Sequence, residues 1–260
     1  GAITFTTATT ALSDTSSNLA VALNGTTNHN AAVTVTNADY TAAELATINN
    51  GTSGSIVLNT DNAALTGTVA DIKAAFAGTI TTHTGTLEIT DTGGTDITAT
   101  HITDINGTNT GTITVANAID INGSGADVAA AFTAIDTNTG NATANITGTD
   151  YTVAHLKTIN DKTTGAIVLA TPTANLTGSV SDTVDAFAGT VTTNTGTITF
   201  NDSAGADITA TDITNLNAKI TGNITFSSAV DINGSGSQVK AAFDVIDSNG
   251  NATANITGTD

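Results

Sequence analysis

The six residues DINGSG occur twice, at Asp120–Gly125 and at Asp231–Gly236. Asp120, Asn122 and Ser124, and in the second copy Asp231, Asn233 and Ser235, place oxygen donors at alternate positions ahead of a glycine. That spacing opens a calcium loop, in which a hard cation collects carboxylate, amide and hydroxyl oxygens and the glycine makes the bend. Such a loop closes on a bidentate acid at its twelfth position, where Ala131 and Ala242 stand instead. Asp127 adds a carboxylate, but its counterpart is Gln238. The same letters also describe an ordinary Asx/Gly corner. Calcium is thus the only cofactor the sequence raises, and nothing in it requires one. The acidic corners Asp91–Asp96 and Asp202–Asp207 are sparser calcium candidates, and the nonapeptide calcium repeat is absent.

Histidine chemistry is tested by the repetition itself. His83 becomes Asn194 in the second copy, His101 becomes Asp212, and His155 corresponds to Glu44, while His29 lies in a loop-like Asn-His-Asn. No Ser, His and acid constellation stands out, so the histidines read as solvent-facing polar residues and the chain as non-catalytic. Thr-x-Thr pairs such as Thr4-Thr6, Thr34-Thr36, Thr112-Thr114 and Thr197-Thr199 suit either stacked threonine ladders or the flat hydroxyl arrays of ice-binding solenoids. Asn24, Asn106, Asn141 and Asn145 head Asn-x-Ser/Thr sequons that would accept glycans.

The elements that position these residues come in copies. NATANITGTD at Asn141–Asp150 returns letter for letter at Asn251–Asp260. Tyr40 and Tyr151, Ala75 and Ala186, and Ile121 and Ile232 each lie 111 residues apart in matching phrases. Repetition on this scale implies units of one kind that bury their apolar faces on their neighbours. A shorter phrase, a small residue, Asp, then an apolar run, begins at Asp14, Asp39, Asp71, Asp96, Asp127, Asp150, Asp182 and Asp207, with Gln238 in the last place. Its spacing alternates between 23–25 and 31–32 residues, which counts about nine coils. Each Asp is expected to cap a helix of two to three turns. Val128, Phe132 and Ile135, then Tyr40, Leu45 and Ile48, then Ile97, Ile102 and Ile105 follow helical spacing. Asn106-Gly107 and Ala77-Gly78 are read as helix stops.

Strands follow in the phrases GSIVL (Gly54–Leu58), TGTLEI (Thr84–Ile89), TGTITV (Thr110–Val115), TGAIVL (Thr164–Leu169) and TGTITF (Thr195–Phe200). Apolar residues there alternate with Thr, the period of a half-buried strand. LTG[TS]V at Leu65–Val69 and Leu176–Val180 is a second, shorter strand phrase. Helix, corner, strand, corner, strand describes one turn of a parallel β-solenoid with short helices in each coil, an α/β solenoid.

Composition agrees with a narrow core. The hydrophobic fraction is 39%, aromatics make up 3%, and Trp is absent, so Ile, Val, Leu and Ala must fill the interior. Twenty-three acidic residues face five lysines and no arginine, a net charge of −18. That balance argues against a nucleic-acid partner, because phosphates are bound by Lys and Arg. It disfavours anionic membrane surfaces for the same reason. Without Cys there are no disulfides and no thiolate chemistry, and without Met the chain reads as processed or as an excerpt. No apolar run approaches the ~18 residues of a membrane span.

Two stretches, TGTITVANAIDINGSGADVAAAF (Thr110–Phe132) and DYTVAHLKTINDKTTGAIVL (Asp150–Leu169), resemble the long Thr/Asp/Ala-rich repeats of giant cell-surface proteins from cyanobacteria and other marine bacteria. The resemblance covers nearly the whole chain. It implies an exported surface, matrix or filament protein and carries over no catalytic residue.

These readings give one continuous solenoid: a partial repeat over 1–38, one unit over 39–149 and a second over 150–260. The array is expected to begin and end in mid-pattern, leaving edges for copies of itself, and to build an extracellular filament, sheath or S-layer by head-to-tail stacking. The alternative is an adhesin-type, ice-binding or glycan-binding repeat module. A polysaccharide lyase is weaker, because it needs Arg and aromatic sugar platforms.

Overall fold

A computed structural model of the chain describes residues 3–258. Two compact bodies are distinguished, one of Gly1–Asp120 with Ala134–Ala142, the other of Ile121–Thr133 with Thr143–Asp260. Each is an α/β solenoid, with short parallel strands set in open rows and short helices between them.

In the first body, strands Leu12–Asp14, Val33–Val35 and Ile56–Leu58 form one row, with Leu12, Val33 and Ile56 in register. Leu65–Gly67, Leu87–Ile89, Ile113–Val115 and Thr137–Asn138 form another. In the second body, Leu176–Gly178, Ile198–Phe200 and Ile224–Phe226 make a row, as do Asp207–Thr209, Asp231–Gly234 and Thr253–Ile256. Thr143–Ile146 pairs with Ile167–Leu169. Like residues therefore stack about 4.8 Å apart. Inward columns such as Leu65, Leu87 and Ile113 are fully buried. The outward column Thr177, Thr199, Thr225 and Ser248 runs beside Leu176, Ile198 and Ile224.

The glycine of the Thr-Gly strand phrase has a steric cause. A Cβ on Gly111 would fall onto the carbonyl oxygen of Gly85, and one on Gly222 onto that of Gly196. Successive coils touch backbone to backbone at this corner, so the phrase keeps a residue without a side chain.

Nine helices occur among the described residues: α1 (Ser16–Leu23), α2 (Ala42–Gly51), α3 (Val69–Ala75), α4 (Ala99–Thr108), α5 (Gly125–Ala134), α6 (Val153–Asn160), α7 (Val180–Ala186), α8 (Ala210–Asn217) and α9 (Gly236–Val245). They are too short to persist alone and are held by neighbours. In the first body α1 to α4 pack in order, and in the second α6 to α9 do.

Two details correct the sequence expectations. First, the caps are hydroxyls. Thr15, Thr41, Thr68, Thr152, Ser179 and Ser235 accept from the third helical N–H. The repeated Asp falls either at that third position (Asp71, Asp127, Asp182) or one or two residues before the cap (Asp14, Asp39, Asp96, Asp150, Asp207). Mixing these two sites produced the apparent alternation of long and short coils, whereas successive helices start 26 to 30 residues apart. Second, α4 runs through Asn106-Gly107 to Thr108. The stop read at Ala77-Gly78 agrees with the structure: α3 ends at Ala75 with Phe76 as its cap.

Candidate functional site

The DING segments are strands that lead into caps, and not loops. Asp120–Gly123 and Asp231–Gly234 are extended, with Ile121 and Ile232 buried between an Asp and an Asn on the other face. Residues two apart on a strand sit about 6.6 Å apart, so their oxygens do not converge as in a calcium loop. Ser124 instead donates to Asp127 Oδ2 at 2.7 Å and accepts from the Asp127 N–H at 3.1 Å. Ser235 makes the corresponding cap of α9 with Gln238. Asn233 donates to Asp207 Oδ1 at 3.0 Å and accepts from Asn255 Nδ2 at 2.7 Å. Among the described residues, no three His, Asp or Glu side chains gather as a metal group.

Asp91 and Asp202, from the two acidic corners, serve the coil before them. Asp91 is 8% exposed, and its Oδ2 accepts from the Val69 N–H at 2.7 Å, the first amide of α3. Asp202 does the same for Val180 of α7 at 3.0 Å. Asn37 accepts from Ser16 of α1 at 2.7 Å, and Asp150 from Gly125 of α5 at 3.2 Å. A carboxylate at a helix N-terminus satisfies an orphan donor and complements the dipole.

Two of the four histidines overturn the solvent-facing reading. His29 is buried, with Nδ1 2.7 Å from Thr52 Oγ1 and Nε2 2.9 Å from the Thr10 carbonyl oxygen. His83 is fully buried, 2.8 Å from both Asn109 Oδ1 and the Ala63 carbonyl oxygen. Asn194, its counterpart in the second body, is equally buried and donates to the Ala174 carbonyl at 3.3 Å. His101 and His155 are half-buried. His155 sits at the third position of α6, where its N–H reaches Thr152 Oγ1 at 3.2 Å and its Nδ1 is buried without a hydrogen-bond partner.

Thr143–Ile146 and Thr253–Ile256 both read Thr-Ala-Asn-Ile. The first is covered by Ile167–Leu169, and its Ala144 and Ile146 are 0% and 1% exposed. The second pairs in register with Asp231–Gly234.

No family model, curated protein or solved structure matches the chain. A cleft of about 140 Å³ beside α3 and α4, lined by Phe76, Ile105 and a Lys73–Asp104 ion pair of 3.1 Å, is below the ~300 Å³ at which small-molecule pockets begin. More open grooves, such as the 410 Å³ one along Val153, Ala154, Lys157, Ser179 and Asp182, mix apolar and polar lining, and Lys157 and Ser179 there both bond Asp182. No helix among the described residues is long and apolar enough to cross a membrane.

Proposed function

We propose that the protein is a structural, non-catalytic element of the cell exterior that builds a filament, sheath or surface layer by head-to-tail stacking of solenoid coils. One observation carries this reading: like residues of successive coils stack in register, Leu176 on Ile198 on Ile224, so each coil offers the next a copy of its own pattern. Stacking of this kind is a heterologous contact, and a heterologous contact that does not close continues as a fibre. The Thr/Asp/Ala-rich style of the repeats supports an extracellular setting.

The alternative, an adhesin-type, ice-binding or glycan-binding module, has less behind it. Tyr40 and Tyr151 are both buried and there is no Trp, so neither tyrosine offers a sugar-stacking platform. The outward hydroxyls engage each other, Thr225 donating to Thr199 at 3.0 Å and Thr86 lying 3.2 Å from Thr112.

Electron microscopy and sedimentation of the full chain at high concentration, with and without calcium, test the reading. Fibres with an axial spacing near 4.8 Å are expected. A monodisperse monomer under all conditions would overturn it.

A further inference from the structure

Six Asn-Gly pairs occur in the chain, at residues 24–25, 50–51, 106–107, 122–123, 233–234 and 249–250. In such a pair the glycine nitrogen can attack the side-chain amide carbon of the asparagine, because no Cβ on the glycine shields it. The fold restrains all of them but the first. Asn50-Gly51 and Asn106-Gly107 lie inside α2 and α4, where the helical ladder fixes the peptide. A Cβ on Gly51 would also fall 2.3 Å from the Leu23 carbonyl oxygen, so that backbone has no room to turn. Asn122-Gly123 and Asn233-Gly234 lie in hydrogen-bonded strands. Asn249 Oδ1 accepts from the Asn251 N–H at 3.0 Å, and a Cβ on Gly250 would lie 2.7 Å from the carbonyl oxygens of Phe226 and Ser228.

Asn24 and Gly25 are both exposed. Asn24 closes α1 with φ −62° and ψ 118°, Gly25 has φ +75°, and the Thr26 N–H donates to the Leu23 carbonyl at 3.0 Å. These are the angles and the hydrogen bond of a type II turn. The peptide between its two central residues takes no part in the closing bond, and its rotation swings the Gly25 nitrogen toward Asn24 Cγ. We infer that Asn24-Gly25 is a site of spontaneous deamidation in the folded protein. A bond forms between the Gly25 nitrogen and Asn24 Cγ, and the proton of the Gly25 N–H passes to Nδ2, which leaves as ammonia. Water then opens the succinimide, at Cγ to leave aspartate or at the main-chain carbonyl carbon to leave isoaspartate, with nothing oxidised or reduced. Either product sets a carboxylate at the C-terminus of α1, where the helix dipole opposes negative charge. Isoaspartate also lengthens the main chain by one carbon between Leu23 and Thr26, both of them buried.

The test is mass spectrometry of the full chain kept warm near neutral pH, with fragmentation that resolves each asparagine. Asn24 should gain about 1 Da as its amide becomes an acid. Its rate should exceed those at Asn50, Asn106, Asn122 and Asn233 by at least about tenfold, since those peptides react only through local opening. Asn249 should fall between. In denaturant the six rates should converge, because the fold alone separates them. Asn24→Gln, a change on an exposed side chain, should remove the early signal and leave the other rates as they were. A rate at Asn24 no faster than at the helical pairs or at Asn249 would overturn the inference. So would an order of rates that survives unfolding.

Discussion

Replacing Asp91 with alanine isolates the contact by which one coil caps the helix of the coil before it. The Val69 N–H loses the carboxylate oxygen that accepts from it, 2.7 Å away, at a residue that is 1% exposed. An unsatisfied buried donor costs about 1–3 kcal/mol. Losing the charge at the helix N-terminus adds about 0.3–1 kcal/mol. The expected cost is therefore about 1.5–4 kcal/mol, since the Thr68 cap on Asp71 remains in place. Asp91→Asn keeps an acceptor and should lose about half of this. Asp202→Ala is the internal control: its bond is longer, 3.0 Å, and its carboxylate is half-buried, so it should cost less. Native-state hydrogen exchange is the suitable assay, because stability in repeat arrays is distributed coil by coil. Protection of the Val69, Ala70 and Asp71 amides should fall first. A change below about 0.5 kcal/mol, or an equal loss in Asp202→Ala, would refute the reasoning.

Other outcomes follow from the same geometry. Gly111→Ala drives a methyl onto the Gly85 carbonyl and should destabilise the first body by about 1–3 kcal/mol, measured by urea unfolding; a neutral result would show that the coils do not touch there. In an alkaline titration followed by tyrosinate absorbance, Tyr40 should ionise only at about 12, because burial, then Asp61, holds its phenol neutral. The stability linked to it is present below the ordinary phenol range and lost as pH climbs through 12, so ionisation of Tyr40 near 10 in the folded protein would exclude this packing. Hydrogen bonds from Lys157 and then Ser179 hold the Asp182 carboxyl below the usual carboxylate range, so Lys157→Gln should weaken the second body above that range and lose its effect as pH falls through it. Added salt should shrink the difference.

The parts of the fold legible in the sequence are those with a local steric or periodic cause. The strand phrase is one: alternation sets the faces of Ile113 and Val115, and Gly111 is demanded by the neighbouring carbonyl. Capping was half legible. Asp follows the cap in some coils and precedes it in others, and only hydrogen bonds such as Thr68 to Asp71 separate the two cases. The DING segments misled because Asn-Gly and Ser-Gly are turn-formers, yet pairing of Ile232 with Ile208 and Ala254 pulls them into a row. Context outweighs propensity there. His83 misled differently. Its replacement by Asn194 looked like surface drift, and the compensating change from Asn109 to Ile220 would have shown otherwise had the two positions been read together.

The acceptors that serve helices α1, α3, α5 and α7 lie 21 to 25 residues downstream of the amides they bind. A nascent chain leaving the ribosome thus finishes each of these helices only after roughly one further coil has emerged, and maturation trails synthesis by that interval. Proteolytic loss of a coil would likewise unsettle its upstream neighbour, so that damage spreads backward, one step at a time, toward the amino terminus.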